Sequence, residues 1–142
     1  MLRDLINSTK VTSAFNYGAR TGTTNGTNII DMQGFGSCTF VVQVAGVTTA
    51  DATNLFTFTI QAGDASDLSD GATVTAATGL LGSNVVIDNT NDANKVGMMG
   101  YVGGKRYVRL VATETGTADA AWSAVCVQQL PEVEPVGDSA LA

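Results

Sequence analysis

The stretch Phe56-Thr57-Phe58-Thr59-Ile60-Gln61 decides how this chain is read. Its apolar and polar residues alternate with a period of two. Phe56, Phe58 and Ile60 therefore share one face, and Thr57, Thr59 and Gln61 share the other. A strand with one face in a core and one near water has this pattern. Threonine suits the wet face because β-branched side chains fit a pleated surface. The alternation recurs from Cys38 to Val44, where Cys38, Phe40, Val42 and Val44 oppose Thr39, Val41 and Gln43. We expect Phe40, Val42, Phe56, Phe58, Ile60 and Trp122 to line one core.

Working outward, Val85–Ile87 is a short apolar run, and Lys95–Val102 carries Val96, Met98, Tyr101 and Val102. Lys105–Ala112 and Ala121–Gln128 alternate too, but both of their faces are partly apolar. That marks central strands, or strands covered by a neighbouring subunit. Turn chemistry separates the segments. Asn25-Gly26 suits a tight turn, and Gly103-Gly104 reads as a two-residue hairpin between Tyr101-Val102 and Lys105-Arg106. Asp88–Asp92 is a polar loop, Gly116–Asp119 another turn, and Leu68–Leu81 has room for a short helical turn. The reading is an all-β chain, an antiparallel β-sandwich of about eight strands with jelly-roll as the preferred topology. Residues 1–16 read as an N-terminal arm, 17–130 as the sandwich and 131–142 as an extended tail whose Pro131 and Pro135 oppose regular pairing.

Composition narrows the function. With 44% hydrophobic residues and only 14% charged, the 142-residue chain has the profile of a folded domain. Its size needs no metal or disulfide to build a core. The net charge of −6 leaves few cations to displace counterions from a phosphate backbone, so no nucleic-acid partner is expected. No run approaches the length of a membrane helix and the first residues do not form a secretory signal, so folding in the cytoplasm where the chain is made is expected, with no membrane partner.

Histidine is absent. This removes the commonest general base and metal ligand and every Ser–His or Cys–His pairing. Cys38 and Cys126 lack metal-binding spacing and read as two small buried hydrophobes rather than a disulfide. Asp64, Asp67 and Asp70, at three-residue spacing, suggest a hard-cation site but do not follow the EF-hand pattern. A plain turn held by Asp and Ser side chains is preferred. Gly34-Phe35-Gly36 precedes a strand and not a helix, so it makes no phosphate cradle. No paired acids mark a glycosidase. The expectation is a non-enzyme with no catalytic residue, no cofactor and no metal.

What remains is contact. Lys105, Arg106 and Arg109 are the only basic concentration, and Arg106 and Arg109, three apart in a strand, are expected on opposite faces. Leu2, Leu5 and Ile6 in the arm, and Val133, Val136 and Leu141 in the tail, are apolar residues outside any core pattern. Together with Lys105 and Arg106 they are the candidate intersubunit contacts.

Several segments are similar to a group of small tailed-phage and prophage structural proteins. They are Asn16-Tyr17-Gly18-Ala19, Asn25-Gly26-Thr27, Asp31-Met32-Gln33-Gly34-Phe35, Phe56–Gln61, Leu80-Leu81-Gly82 and, most specifically, Gly100-Tyr101-Val102-Gly103-Gly104-Lys105-Arg106-Tyr107-Val108-Arg109. The resemblance runs from about residue 8 to residue 131. The chain departs from the group at Asp67-Leu68-Ser69-Asp70-Gly71, where members carry a fuller Ser-Asp-Asp-Gly turn followed by an aromatic. The resemblance implies a virion component, a capsid cement or decoration protein on the capsid exterior. It would bind the major capsid protein as a homo-oligomer. The alternatives are a tail, head-completion or receptor-binding component, or a carbohydrate-binding sandwich. Trp122, the one tryptophan, alternates with small residues and is expected in the core rather than on a sugar-stacking surface.

Overall fold

The computed structural model of the chain describes residues 4–132. Eleven strands are formed: β1 (Lys10–Arg20), β2 (Thr24–Asn25), β3 (Ile30–Asp31), β4 (Phe35–Thr49), β5 (Leu55–Gly63), β6 (Ala72–Thr73), β7 (Leu80–Leu81), β8 (Val86–Ile87), β9 (Val96–Tyr101), β10 (Tyr107–Thr115) and β11 (Asp119–Pro131). Single 3-10 turns cover Ala76–Thr78 and Thr90–Asp92. The strands form two antiparallel sheets packed face to face. The first has the order β1-β11-β4-β9-β7, and the second β2-β10-β5-β6, with β3 also on β10 and β8 also on β5.

The surplus over the expected eight strands has a simple origin. β2 and β3 are two stretches of one edge along β10, pairing at Val111–Asn25 and Tyr107–Asp31 respectively. β6 and β8 divide the edge along β5 in the same way. Counted by position, the chain visits first sheet, second, first, second, second, first, second, first. That is the interleaving of a jelly roll, with β7 as a short addition at one edge.

Alternation in sequence becomes alternation in burial. Phe40, Val42, Phe56, Phe58, Ile60 and Trp122 are all fully buried, as expected. Trp122 of β11 lies at the centre. It meets Phe56 at 4.7 Å, Phe58 at 5.2 Å and Phe15 at 6.0 Å between ring centroids, each edge to face. Phe56 and Phe58 come from the second sheet, so this cluster joins the two layers. Cys38 and Cys126 are buried and unbridged. The neighbouring Cys38 thiol, and then burial, hold the Cys126 thiol far above the ordinary thiol range. The two segments that were apolar on both faces are central strands: β10 lies between β2/β3 and β5, and β11 between β1 and β4.

Three expectations are corrected. The arm does not extend to Asn16, because β1 begins at Lys10 and pairs with β11 from Lys10–Gln128 onward. Bulges in β1 between Ser13 and Gly18 broke the period that would have marked it as a strand. Gly103-Gly104 is not a hairpin, since β9 belongs to the first sheet and β10 to the second. The segment crosses between layers. Asn25-Gly26 does not turn the chain back either. It interrupts one edge strand, and β2 and β3 on either side of it pair with the same β10.

Candidate functional site

The candidate contacts that fall within residues 4–132 gather at one end of the sandwich. Register fixes this. Lys10, where β1 starts, lies opposite Gln128 near the end of β11. Gln128 lies opposite Cys38, Cys38 opposite Tyr101, and Pro131 opposite Phe35. The N-terminal segment, the root of the tail and the 102–106 crossing therefore leave the same edge of the fold.

Asp4 orders the N-terminal segment by accepting the Ile6 N–H at 3.0 Å, while Ser8 Oγ donates to the Asp4 carbonyl at 2.9 Å. This turn pushes Leu5 and Ile6 outward, at 72% and 80% exposure. Leu2, Val133, Val136 and Leu141 lie outside the described residues.

Tyr101 shapes the crossing. Its ring is buried, and its hydroxyl accepts the Lys105 N–H at 2.9 Å. Burial pushes the phenol up from its ordinary value. Gly103 lies directly against this ring, so any Cβ there would collide with it. Lys105 Nζ reaches Asp64 at 2.5 Å. Arg106 grips Asp31 with two bonds, Nε to Oδ1 at 3.0 Å and Nη2 to Oδ2 at 2.8 Å, and stacks on Tyr107. The Arg106 bonds hold the Asp31 carboxyl below the usual range. Arg106 precedes β10, so strand alternation does not place it. Its partner Asp31 faces Tyr107, while Arg109 reaches Gln61 on β5 at 2.6 Å. The cations are thus engaged one by one and form no common patch.

The acidic turn is built from its own backbone. Asp70 accepts the N–H groups of Asp64 and Ala65, and Asp67 accepts that of Ser69. These bonds hold both carboxyls below their ordinary value. With Asp64 turned to Lys105, the three acids do not converge. Among the described residues no group of three His, Cys, Asp or Glu is placed to hold a metal ion.

Between the crossing and the start of β4 lies a shallow cleft of about 340 Å³, floored by Met32–Phe35 and walled by Gly103–Arg106 and Glu132. Sequence reasoning found its cations but missed the parts that fix them. Gln128 is fully buried, with Nε2 donating to the Asp31 carbonyl at 2.8 Å. It ties β11 of the first sheet to Asp31 of β3 in the second. The available signal is that Gln128 falls in phase with the inward Trp122, Ala124 and Cys126, because a buried amide must find partners. At this end the chain offers apolar and hydrogen-bonding contact, with no assembled catalytic constellation among the described residues.

The depressed carboxyls set the pH response. Each is lower in the folded state than its unfolded value near ~3.9, so its contribution is present above that value and is lost as pH falls through the folded pKa. With no histidine, little titrates between pH 5 and 8. The thermal midpoint should stay level from pH 8 to 5 and drop below about pH 4. Asp70→Asn should shrink that drop. A midpoint that changes steeply near pH 6.5 would contradict this.

No family model matches the chain, and no curated protein matches it. Among solved structures it is similar to the SPBc2 prophage-derived protein YomS, at 16% identity and TM-score 0.45, covering 84% of this chain and 92% of that one. It is also similar to a chain of the infectious bursal disease virus Gt strain, at 15% identity and TM-score 0.27, covering 92% of this chain and 46% of that one.

Proposed function

We propose that the chain is a non-enzymatic virion structural protein, a capsid cement that binds the outer surface of the major capsid protein lattice as a homo-oligomer. The observation that carries this is the convergence of the outward-turned Leu5–Ile6 segment, the Lys105–Arg106 crossing and the root of the tail on one end of a rigid sandwich. A cement acts by binding the assembled lattice more tightly than free subunits, which stabilises the shell by mass action. Chain ends that leave one end of a sandwich suit this role, since terminal segments can cover long stretches of neighbouring surface. The sequence resemblance to tailed-phage structural proteins points the same way. The sugar-binding alternative loses its main residue, because Trp122 is fully buried.

The test is coating of purified capsids by the full chain and by chains lacking residues 1–7 or 133–142. These cuts spare β1 and β11. Both truncated proteins should keep their β-sheet spectrum and bind about tenfold more weakly, or ~1.4 kcal/mol. Full occupancy by both would move the contacts to the sandwich faces. A few copies at one vertex or along a tail, seen by electron microscopy, would replace the cement role with a head-completion or tail role.

A further inference from the structure

The two sheets differ on their outer faces. In the second sheet the outward residues of the central strands mix Thr57, Thr59, Gln61 and Arg109 with Leu55, Tyr107 and Val111, so polar and charged groups break up the apolar ones. The first sheet does not follow that pattern. One row runs straight across four strands as Ser13, Val125, Val41 and Met98. The next begins Val11, Val127, Thr39 and ends at Leu81. Val96 follows in the third, opposite Gln43. Met98 is 66% exposed, Val96 60%, Leu81 53% and Val11 51%. None of these rows contains a charged residue, in a chain with 20.

We infer that this outer face of the β1-β11-β4-β9-β7 sheet is where a second copy of the chain packs. Charge selects the occupant. A protein of net charge −6 repels its own copies on most approaches, and the Asp64–Asp70 turn and Asp51 would meet like charges. The apolar rows are a broad surface on which two identical copies meet without opposing charges. Two-fold packing of a face on itself requires that self-complementarity. Size agrees. Four long strands at ~4.8 Å spacing and the five residues that the rows span at ~3.4 Å rise give a flat area of about 330 Å². That suits the apolar centre of an interface burying ~800 Å² per partner. Association through the β1 edge is blocked. Thr27 donates its N–H to the Ala14 carbonyl at 2.8 Å, and Asn28 Nδ2 donates to the Ser13 carbonyl at 2.8 Å, so the edge is already covered there.

This inference gives a surface to the oligomer of the proposed function. It is tested on the free full-length protein, so capsid binding can fail without affecting it. Sedimentation velocity at tens of micromolar should give the wild-type chain at least a dimer mass. Met98→Glu and Leu81→Glu, each altering a side chain exposed in the single chain, should weaken self-association at least tenfold while the β-sheet spectrum stays unchanged. Val86→Glu, at an edge of the other sheet, should leave the mass unchanged. A monomeric wild-type protein overturns the inference, as does a dimer that survives both substitutions. A monomer that loses capsid coating on Met98→Glu also overturns it, and assigns the face to a different protein partner.

Discussion

Replacing Phe58 by alanine is expected to destabilise the fold by about 3–5 kcal/mol. Phe58 sits in the middle of β5, fully buried, opposite Ala112 of β10. Its ring edge meets Trp122 at 5.2 Å and an interplanar angle of 82°, and Phe15 at 6.4 Å and 89°. Both partners belong to the opposite sheet. Truncation therefore removes buried surface and also opens a gap where the layers meet. The surroundings are poorly able to collapse into it. Trp122 is held in a central strand, and the neighbouring Ala112 has only a methyl group, too short to fill the gap. A domain of this kind has about 5–15 kcal/mol in total, so the variant should unfold at much lower urea concentration with little change in m-value. A loss below about 1 kcal/mol would mean the aromatic cluster is not the centre of the core.

That centre was legible because the strands supplying it have an unbroken period. β5 pairs with β10 from Tyr107–Gly63 to Thr115–Leu55 without a register shift, so every second residue stays on one face. β1 shows the opposite case. Phe15 is as buried as Phe58 and touches the same tryptophan, yet its sequence context reads as an arm. Irregular register between Ser13 and Gly18 puts adjacent Ala14 and Phe15 both inside, which erases the alternation. The layer crossings were illegible for another reason. Gly-Gly between two strands is the signature of a hairpin and of an inter-sheet connection alike, and only long-range pairing separates them. β9 finds β4 and β10 finds β5, at sequence distances a local pattern does not record.

The candidate site was legible in its charges and not in their partners. Lys105 and Arg106 stand out against a chain poor in cations. Nothing near them in sequence points to Asp64 or Asp31, which are 41 and 75 residues away. The apolar outer face was half visible, in the observation that Ala121–Gln128 is apolar on both sides. A central strand explains why both edges of β11 are paired, but not why Val125 and Val127 face outward in place of threonine. That excess is what the second copy accounts for.

The closing of one side of the sandwich rests on Gly26, and Gly26→Val is expected to destabilise by about 3 kcal/mol. Gly26 joins β2 to the segment leading to β3. Its N–H donates to the Leu110 carbonyl of β10 at 2.7 Å, and the next residue, Thr27, donates to the Ala14 carbonyl of β1 at 2.8 Å. Two consecutive residues thus bond to opposite sheets and tie the layers along one margin. The glycine is required by proximity and not by backbone sign, since Gly26 is not among the glycines at positive φ. A Cβ there would lie 2.7 Å from the Leu110 carbonyl oxygen and 3.0 Å from that of Ala14. Both are backbone atoms of long paired strands, so neither yields as a flexible side chain would. Valine forces the segment outward and breaks one or both bonds, each worth about 0.5–1.5 kcal/mol, in addition to the overpacking strain of ~1–3 kcal/mol. Gly26→Ala should show a smaller loss in the same direction. Hydrogen exchange should quicken first at Thr27 and along β1, which loses the cover on its edge, while β5 and β4 stay protected. Equal stability of Gly26→Val and the wild-type chain would show that this margin moves freely and that the aromatic cluster alone holds the layers together.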